Sequence, residues 1–238
     1  FTFINSFLIK IFSSNITYLL HAILGLILII SCFFICKNYL NKKNSITIFL
    51  VWFFIFFIIF HEKTFFSGVA GQSIYNKTYQ PSTYGVLLIL SLCLFIYDKL
   101  ILSIIIASLS AIIHPTYLIH SIFLISGYCI YFLYFKNYRN LLISMLIALI
   151  FLTPLLLYLL LNFISLDPNI SILGQEIMAV QRIPHHAKIT YWFSYKDIQS
   201  LIIITSALFL VYKEKNIFIP LIVVCTLSLI FTLIHYLT

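Results

Sequence analysis

Charged residues are scarce in this chain. They make up 8% of its 238 residues, against about 25% in soluble domains, and 63% of the residues are hydrophobic. Together with a mean hydropathy of +1.12, this excludes a water-soluble domain. The apolar residues form blocks of 14 to 21, and no ten-residue stretch alternates strictly between polar and apolar. The pattern predicts a polytopic helical membrane protein rather than a β-barrel.

The chain also lacks a framework of loop cysteines. Its five cysteines all lie within apolar runs, at Cys32, Cys36, Cys93, Cys129 and Cys225. Cysteines in such runs usually behave as small hydrophobic residues. Cys32 and Cys36 share a helix face, but no third or fourth ligand accompanies them, so we predict no metal or redox centre there.

Two catalytic motifs are incomplete. His61-Glu62-Lys63 begins like a zinc-protease helix, but Phe65 stands where the second histidine is required. Neither Ser67-Gly68 nor Ser126-Gly127 completes a Gly-x-Ser-Gly motif, so an intramembrane serine protease is not predicted. Glu62 is a candidate general base or cation ligand, and the alternative is an interfacial charge paired with Lys63.

The hydrophobic blocks predict an all-α transmembrane bundle of about eight spans. Their approximate bounds are 16–36, 46–60, 84–97, 100–113, 117–135, 141–161, 198–212 and 217–236. The loops 37–45, 98–99, 136–140 and 213–216 are short and hold eight of the fourteen basic residues. Because short cytoplasmic loops are enriched in Lys and Arg, we expect both ends of this segment outside.

We expect one transmembrane domain over 1–238, as part of a longer chain that continues before Phe1. Residues 1–15 have apolar side chains at helical spacing, which indicates either an interfacial helix or the end of an earlier span. Two outer loops, 61–83 and 162–197, are long enough to cap an outward-facing polar cavity. No basic tract with interleaved aromatic residues is present, so nucleic-acid binding is not predicted.

All seven histidines fall on the predicted outer side. They are His21, His61, His114, His120, His185, His186 and His235. The third and fourth spans are too short for a hydrocarbon core of about 30 Å. Pro115 cannot continue the helix and disfavours helical geometry at His114. We therefore expect His114 and His120 near the floor of the cavity.

The segment Arg182-Ile183-Pro184-His185-His186 is the candidate anion site. Arginine offers a planar fork to phosphate, and histidine donates hydrogen bonds or shuttles a proton. One alternative is a divalent-metal site that joins His185 and His186 to His61, His114 and Glu62. The other is a polar loop that only rigidifies the outer face. Tyr75, Tyr79 and Tyr84 are interface anchors or, alternatively, sugar-stacking residues.

Three segments together resemble a known family. They are Tyr79-Gln80-Pro81-Ser82-Thr83-Tyr84-Gly85, His114-Pro115-Thr116-Tyr117 and Arg182-Ile183-Pro184-His185-His186. They resemble an uncharacterised family of bacterial polytopic membrane proteins with a Pro-His-His motif, which is distantly similar to C-type glycosyltransferases. Those enzymes take sugars from polyprenyl-phosphate donors at the outer face. They usually carry a catalytic acid in their first outer loop, which here would precede Phe1.

The resemblance implies roles for several residues. Arg182 would bind the donor phosphate, assisted by Lys63, Lys188 or the histidine doublet. Glu62, Asp167 or Glu176 would activate an acceptor hydroxyl. The alternatives are a transporter or channel with a histidine-lined outer vestibule, and a non-catalytic membrane scaffold. Against a transporter, the spans lack charges, whereas a transport path needs polar groups throughout its depth.

Overall fold

The computed structural model describes residues 7, 9–12, 15–40, 75, 79–163, 167–182 and 195–237, and all regular structure within them is helical. The α-helices, in chain order, are α1 (Ile16–Leu40), α2 (Val86–Ile96), α3 (Leu100–Ile113), α4 (Leu118–Tyr134), α5 (Tyr138–Phe163), α6 (Pro168–Glu176), α7 (Tyr195–Leu210) and α8 (Lys215–Leu237). Short 3-10 turns, Pro81–Gly85 and Pro115–Tyr117, precede α2 and α4, and a π turn, Ile177–Arg182, follows α6.

Four of the described helices are long and apolar enough to cross a membrane, which fits the predicted integral membrane protein. They are Ile16–Asn38, Pro115–Tyr134, Tyr138–Asn162 and Lys215–Ile234. The segments Pro81–Ile96, Leu100–Ile113 and Leu201–Leu210 are shorter apolar helices. The predicted second span, 46–60, lies outside the described residues. Near the chain start, residues 7 and 9–12 are helical and exposed.

The segment 162–197 was predicted as an outer loop, but part of it is helical. Helix α5 continues to Phe163, and α6 and the π turn occupy 168–182. Asp167 begins α6 as its N-cap, since its side chain accepts a hydrogen bond from the Asn169 backbone N–H at 2.9 Å. Pro168 follows at the first helical position, where its missing N–H costs nothing.

Helices α2 and α4 end in matching left-handed turns. Asp98 and Lys136 have φ of 59° and 56°. After α2, the N–H of Lys99 donates to Leu94 O at 2.9 Å and that of Asp98 to Phe95 O at 3.0 Å. The same paired bonds close α4 through Asn137 and Lys136. These are Schellman motifs, which satisfy the last carbonyls and reverse the chain into α3 and α5.

The core lies between α2, α3, α4 and α5. Tyr128 of α4 is fully buried, and its ring stacks on Phe95 of α2 at 4.1 Å and 8°. Helix α8 packs closely on α4, because Gly127 lets the backbone of Pro220 approach. Small residues at a crossing allow such close packing of transmembrane helices.

Candidate functional site

Histidine and tyrosine side chains gather where the first turns of α1, α2 and α4 meet the end of α3. We call them the His–Tyr cluster, whose members are His21, Tyr75, Tyr79, Tyr84, His114, Tyr117 and His120. The structure thus brings together two predicted binding residues, Tyr79 and His114, that are 35 positions apart. Both sit beside the apolar contacts that join α1, α2 and α3 at this end.

The break at His114 orients both histidines of the turn that follows α3. His114 is extended (φ −138°, ψ 105°), as expected before proline, and its Nδ1 hydrogen bonds with Thr116 Oγ1. His120 Nδ1 donates to the carbonyl oxygen of Thr116 at 3.3 Å. Because the carbonyl can only accept, Nδ1 of His120 is the donor in this contact. The His120 side chain is exposed.

Tyr117 ties this turn to the one that opens α2. Its hydroxyl donates to the carbonyl oxygen of Ser82, and its ring lies between those of His114 (6.0 Å) and His120 (5.8 Å). Gly85 leaves the space that the Tyr117 hydroxyl fills. Two of the three segments that carry the family resemblance therefore touch each other. Both turns were recognisable in the sequence, but the contact between them was not predicted.

The Pro81–Gly85 turn is held on its other side by Tyr84. Tyr84 is buried, and its hydroxyl hydrogen bonds with that of Tyr79 at 2.6 Å. Its carbonyl accepts a hydrogen bond from Ser110 Oγ of α3 at 3.1 Å. Tyr79 is thus fixed by a neighbouring phenol, not only anchored at a lipid interface.

A stacked pair extends the cluster to α1. The rings of His21 and Tyr75 are 4.3 Å apart and nearly parallel, at 5°. The Tyr75 hydroxyl donates to the carbonyl oxygen of His21 at 3.2 Å, and Tyr79 meets the His21 ring edge-on at 6.3 Å. Tyr75 comes from the predicted loop 61–83, so this part of the loop packs on the first helix.

The cluster offers neutral hydrogen-bonding groups. Partial burial lowers the pKa of His114 below its usual value, because desolvation disfavours the imidazolium. The imidazole of His114 is therefore neutral at pH 7, and burial raises the pKa of the Tyr75 phenol above its usual value. The arrangement can donate and accept hydrogen bonds and offer ring faces. It would need charge from elsewhere to bind an anion tightly.

The remaining predicted site residues are only partly described. Asp167 caps α6, and Glu176 is exposed at the end of that helix. Arg182 is the last residue of the π turn. Glu62, Lys63, His185, His186 and Lys188 lie outside the described residues, as does His61 of the proposed metal set. Among the residues that were described, no three His, Cys, Asp or Glu side chains form a metal-binding group.

Sequence reasoning missed a second feature at the opposite end of the bundle. A cavity of about 430 Å³ lies between the end of α2, the start of α3, the end of α4 and the starts of α5 and α8. We call it the inner cavity. Asp98 and Glu214 both line it, and they are the two acidic residues of the four short loops. The sequence shows that these loops hold only two acidic residues, but it does not show that the turns with Asp98 and Glu214 lie together.

No family model, curated protein or solved structure matches this chain.

Proposed function

We propose that the protein is a glycosyltransferase-like integral membrane protein of the bacterial cytoplasmic membrane, acting at its outer face on a lipid-phosphate-linked sugar. The observation that carries this proposal is the contact between the Tyr79–Gly85 and His114–Tyr117 segments through the Tyr117 hydroxyl and Ser82. They are two of the three segments that resemble the Pro-His-His family. In the fold they form one surface.

The chemistry of that surface suits a sugar better than an isolated phosphate. Neutral imidazoles and phenols hydrogen bond with hydroxyl groups, and aromatic faces stack on the apolar face of a sugar ring. In the proposal, Tyr79 contacts the sugar and His114 hydrogen bonds with it. Arg182 and the doublet His185-His186 supply the phosphate contacts, with Lys63 assisting. Glu62, Asp167 or Glu176 activates the acceptor.

The proposal includes about eight spans and an outward-facing cavity. Its support is the distribution of basic residues, since the short loops that follow α1, α2, α4 and α7 hold eight of fourteen. The His–Tyr cluster is at the other end of these helices. That orientation puts the cluster at the membrane face where polyprenyl-phosphate donors of C-type enzymes are used.

The test exploits the fact that the chain has two arginines, Arg139 and Arg182. Binding of a polyprenyl-phosphate-linked sugar is measured on the full protein in lipid nanodiscs. Arg182→Lys, His185→Ala and His186→Ala should each weaken binding about ten- to hundredfold, since a charge-assisted contact contributes about 1.5–3 kcal/mol. Arg139→Lys, in the first turn of α5 at the opposite end, is the matched control and should bind normally. Unchanged binding in all three variants would favour the scaffold instead.

A transporter is the second candidate function, and one observation favours it. Buried hydroxyls continue from the His–Tyr cluster towards the inner cavity: Ser110 near the cluster, Ser121 bonded to Ala107 O, and Ser91 bonded to Ser103 O and Tyr128. Buried hydroxyls also hold membrane helices together without any transport. Uptake of a sugar or ion into liposomes that Ser91→Ala abolishes would support the transporter.

A further inference from the structure

The inner cavity carries negative charge where the sequence is otherwise basic. The four short loops contain eight basic and two acidic residues, and both acidic ones, Asp98 and Glu214, line the cavity. Neither carboxylate forms an ion pair with another described residue. Both are exposed, so a solute can reach them.

Lys215 also lines the cavity, but its ammonium group is bound to the turn that precedes its own helix, α8. Nζ donates to the carbonyl oxygen of Tyr212 at 2.8 Å and lies 5.1 Å from the ring centre of Phe218. It therefore does not pair with Asp98 or Glu214. Two carboxylates against one ammonium leave the cavity with a net charge of −1.

One wall of the cavity is aromatic. Phe95 meets the rings of Tyr131 and Phe132 at 5.2 and 5.7 Å, and Tyr131 meets Phe135 at 4.8 Å. Ring faces attract cations through their quadrupole. Phe95 and Phe132 are buried, so the rings that a solute can reach are those of Tyr131, which is partly exposed, and Phe135, which is exposed. Asn140 and Asn216 also line the cavity.

We propose that the inner cavity binds a small organic cation, such as a quaternary or primary ammonium compound. The volume of about 430 Å³ is within the range of small-molecule sites. An anion would face the carboxylates of Asp98 and Glu214. A hard metal ion would require several oxygen ligands or retained water, whereas an organic cation has apolar surface that packs on the aromatic rings. This site is separate from the proposed transferase surface, so either proposal can fail without the other.

The experiment measures binding of choline and tetraethylammonium to the full chain in nanodiscs. The neutral compound 3,3-dimethylbutan-1-ol has the shape of choline without its charge and serves as the ligand control. We expect saturable binding of the cations and at least tenfold weaker binding of the neutral compound. If no cation binds saturably, or if choline and its neutral analogue bind equally, the proposal is wrong.

Variants that neutralise either the carboxylates or the lysine of the cavity test the role of charge. Asp98→Asn and Glu214→Gln should each weaken cation binding about tenfold, whereas Lys215→Gln should strengthen it. Asn is tolerated at the left-handed φ of 59° at position 98, so the turn should persist. Lys213→Gln, two residues from Lys215 and outside the cavity lining, should leave binding unchanged. Unchanged binding in both carboxylate variants overturns the assignment.

Discussion

Glycine at position 85 connects local sequence to the His–Tyr cluster. A Cβ at this position would stand 2.6 Å from the hydroxyl oxygen of Tyr117, the group that donates to Ser82. At the scale of one residue, the absence of a side chain therefore lets the two turns meet. The sequence displays the glycine, but the neighbour that requires it is 32 positions away.

Gly85→Ala should disturb this contact. The added methyl pushes Tyr117 away from Ser82, so the free energy of unfolding should fall by about 1–3 kcal/mol. We expect a lower unfolding midpoint in an SDS titration of the purified protein. Gly174→Ala is the matched control, because a Cβ there has no neighbour within 4 Å. It should be neutral or stabilising by up to about 1 kcal/mol, since alanine favours helix. Equal effects of both changes would contradict the close contact at Gly85.

At the scale of helices, polar residues in the sequence fix some boundaries well. The predicted span 100–113 coincides with α3, because Asp98-Lys99 and Pro115 stop the apolar run at both ends. The span 141–161 was too short, since Tyr138, Arg139 and Asn140 continue as helix. Asp167-Pro168 is a recognisable helix start that the reading of 162–197 as a loop overlooked. The inner cavity forms where three turns meet, between α2 and α3, between α4 and α5, and before α8, and sequence periodicity does not predict that contact.

Helix ends make a second prediction. Lys136 adopts φ 56°, a left-handed conformation that costs a residue with a side chain about 1 kcal/mol relative to glycine. Lys136→Gly should therefore raise the free energy of unfolding by about that amount. Lys136→Ala removes the same charge but keeps the strain, so it should give no gain. Chemical or thermal unfolding of the two variants side by side provides the comparison. If the glycine variant is no more stable than the alanine variant, the left-handed conformation at position 136 is not strained.

Helix pairing makes a third prediction. A Cβ at Gly127 would lie 2.7 Å from the Cα of Pro220, which is backbone and cannot rotate away. Gly127→Ala must therefore move α8 as a whole from α4, and we expect it to destabilise the protein more than Gly85→Ala does, by about 3 kcal/mol. The neighbouring Ser126→Ala removes a hydroxyl without adding volume and should be nearly neutral. The same SDS titration measures both, and a mild effect of Gly127→Ala would indicate a looser α4–α8 contact.

At the scale of the whole molecule, the two ends of the bundle differ in chemistry. One end gathers imidazoles and phenols, and the other combines carboxylates, which form no ion pair with another described residue, with aromatic side chains. Buried serines and Tyr128 lie between them. The proposed outer-face transferase function therefore depends on which end faces the cytoplasm. The distribution of basic residues predicts that the end with the inner cavity faces the cytoplasm.

Cysteine labelling of intact cells tests this orientation. Leu40→Cys and Tyr138→Cys lie at helix ends next to basic short loops, and Gln175→Cys lies in α6 beyond the other end of α5. Each is introduced after the native cysteines are replaced, and a membrane-impermeant maleimide is applied. Position 175 should react in sealed cells, because the His–Tyr cluster end is expected outside. Positions 40 and 138 should react only after permeabilisation, which also controls for their reactivity.

If position 40 reacts in sealed cells, the positive-inside argument fails for this chain. The His–Tyr cluster would then face the cytoplasm, where an outer-face transferase has no role.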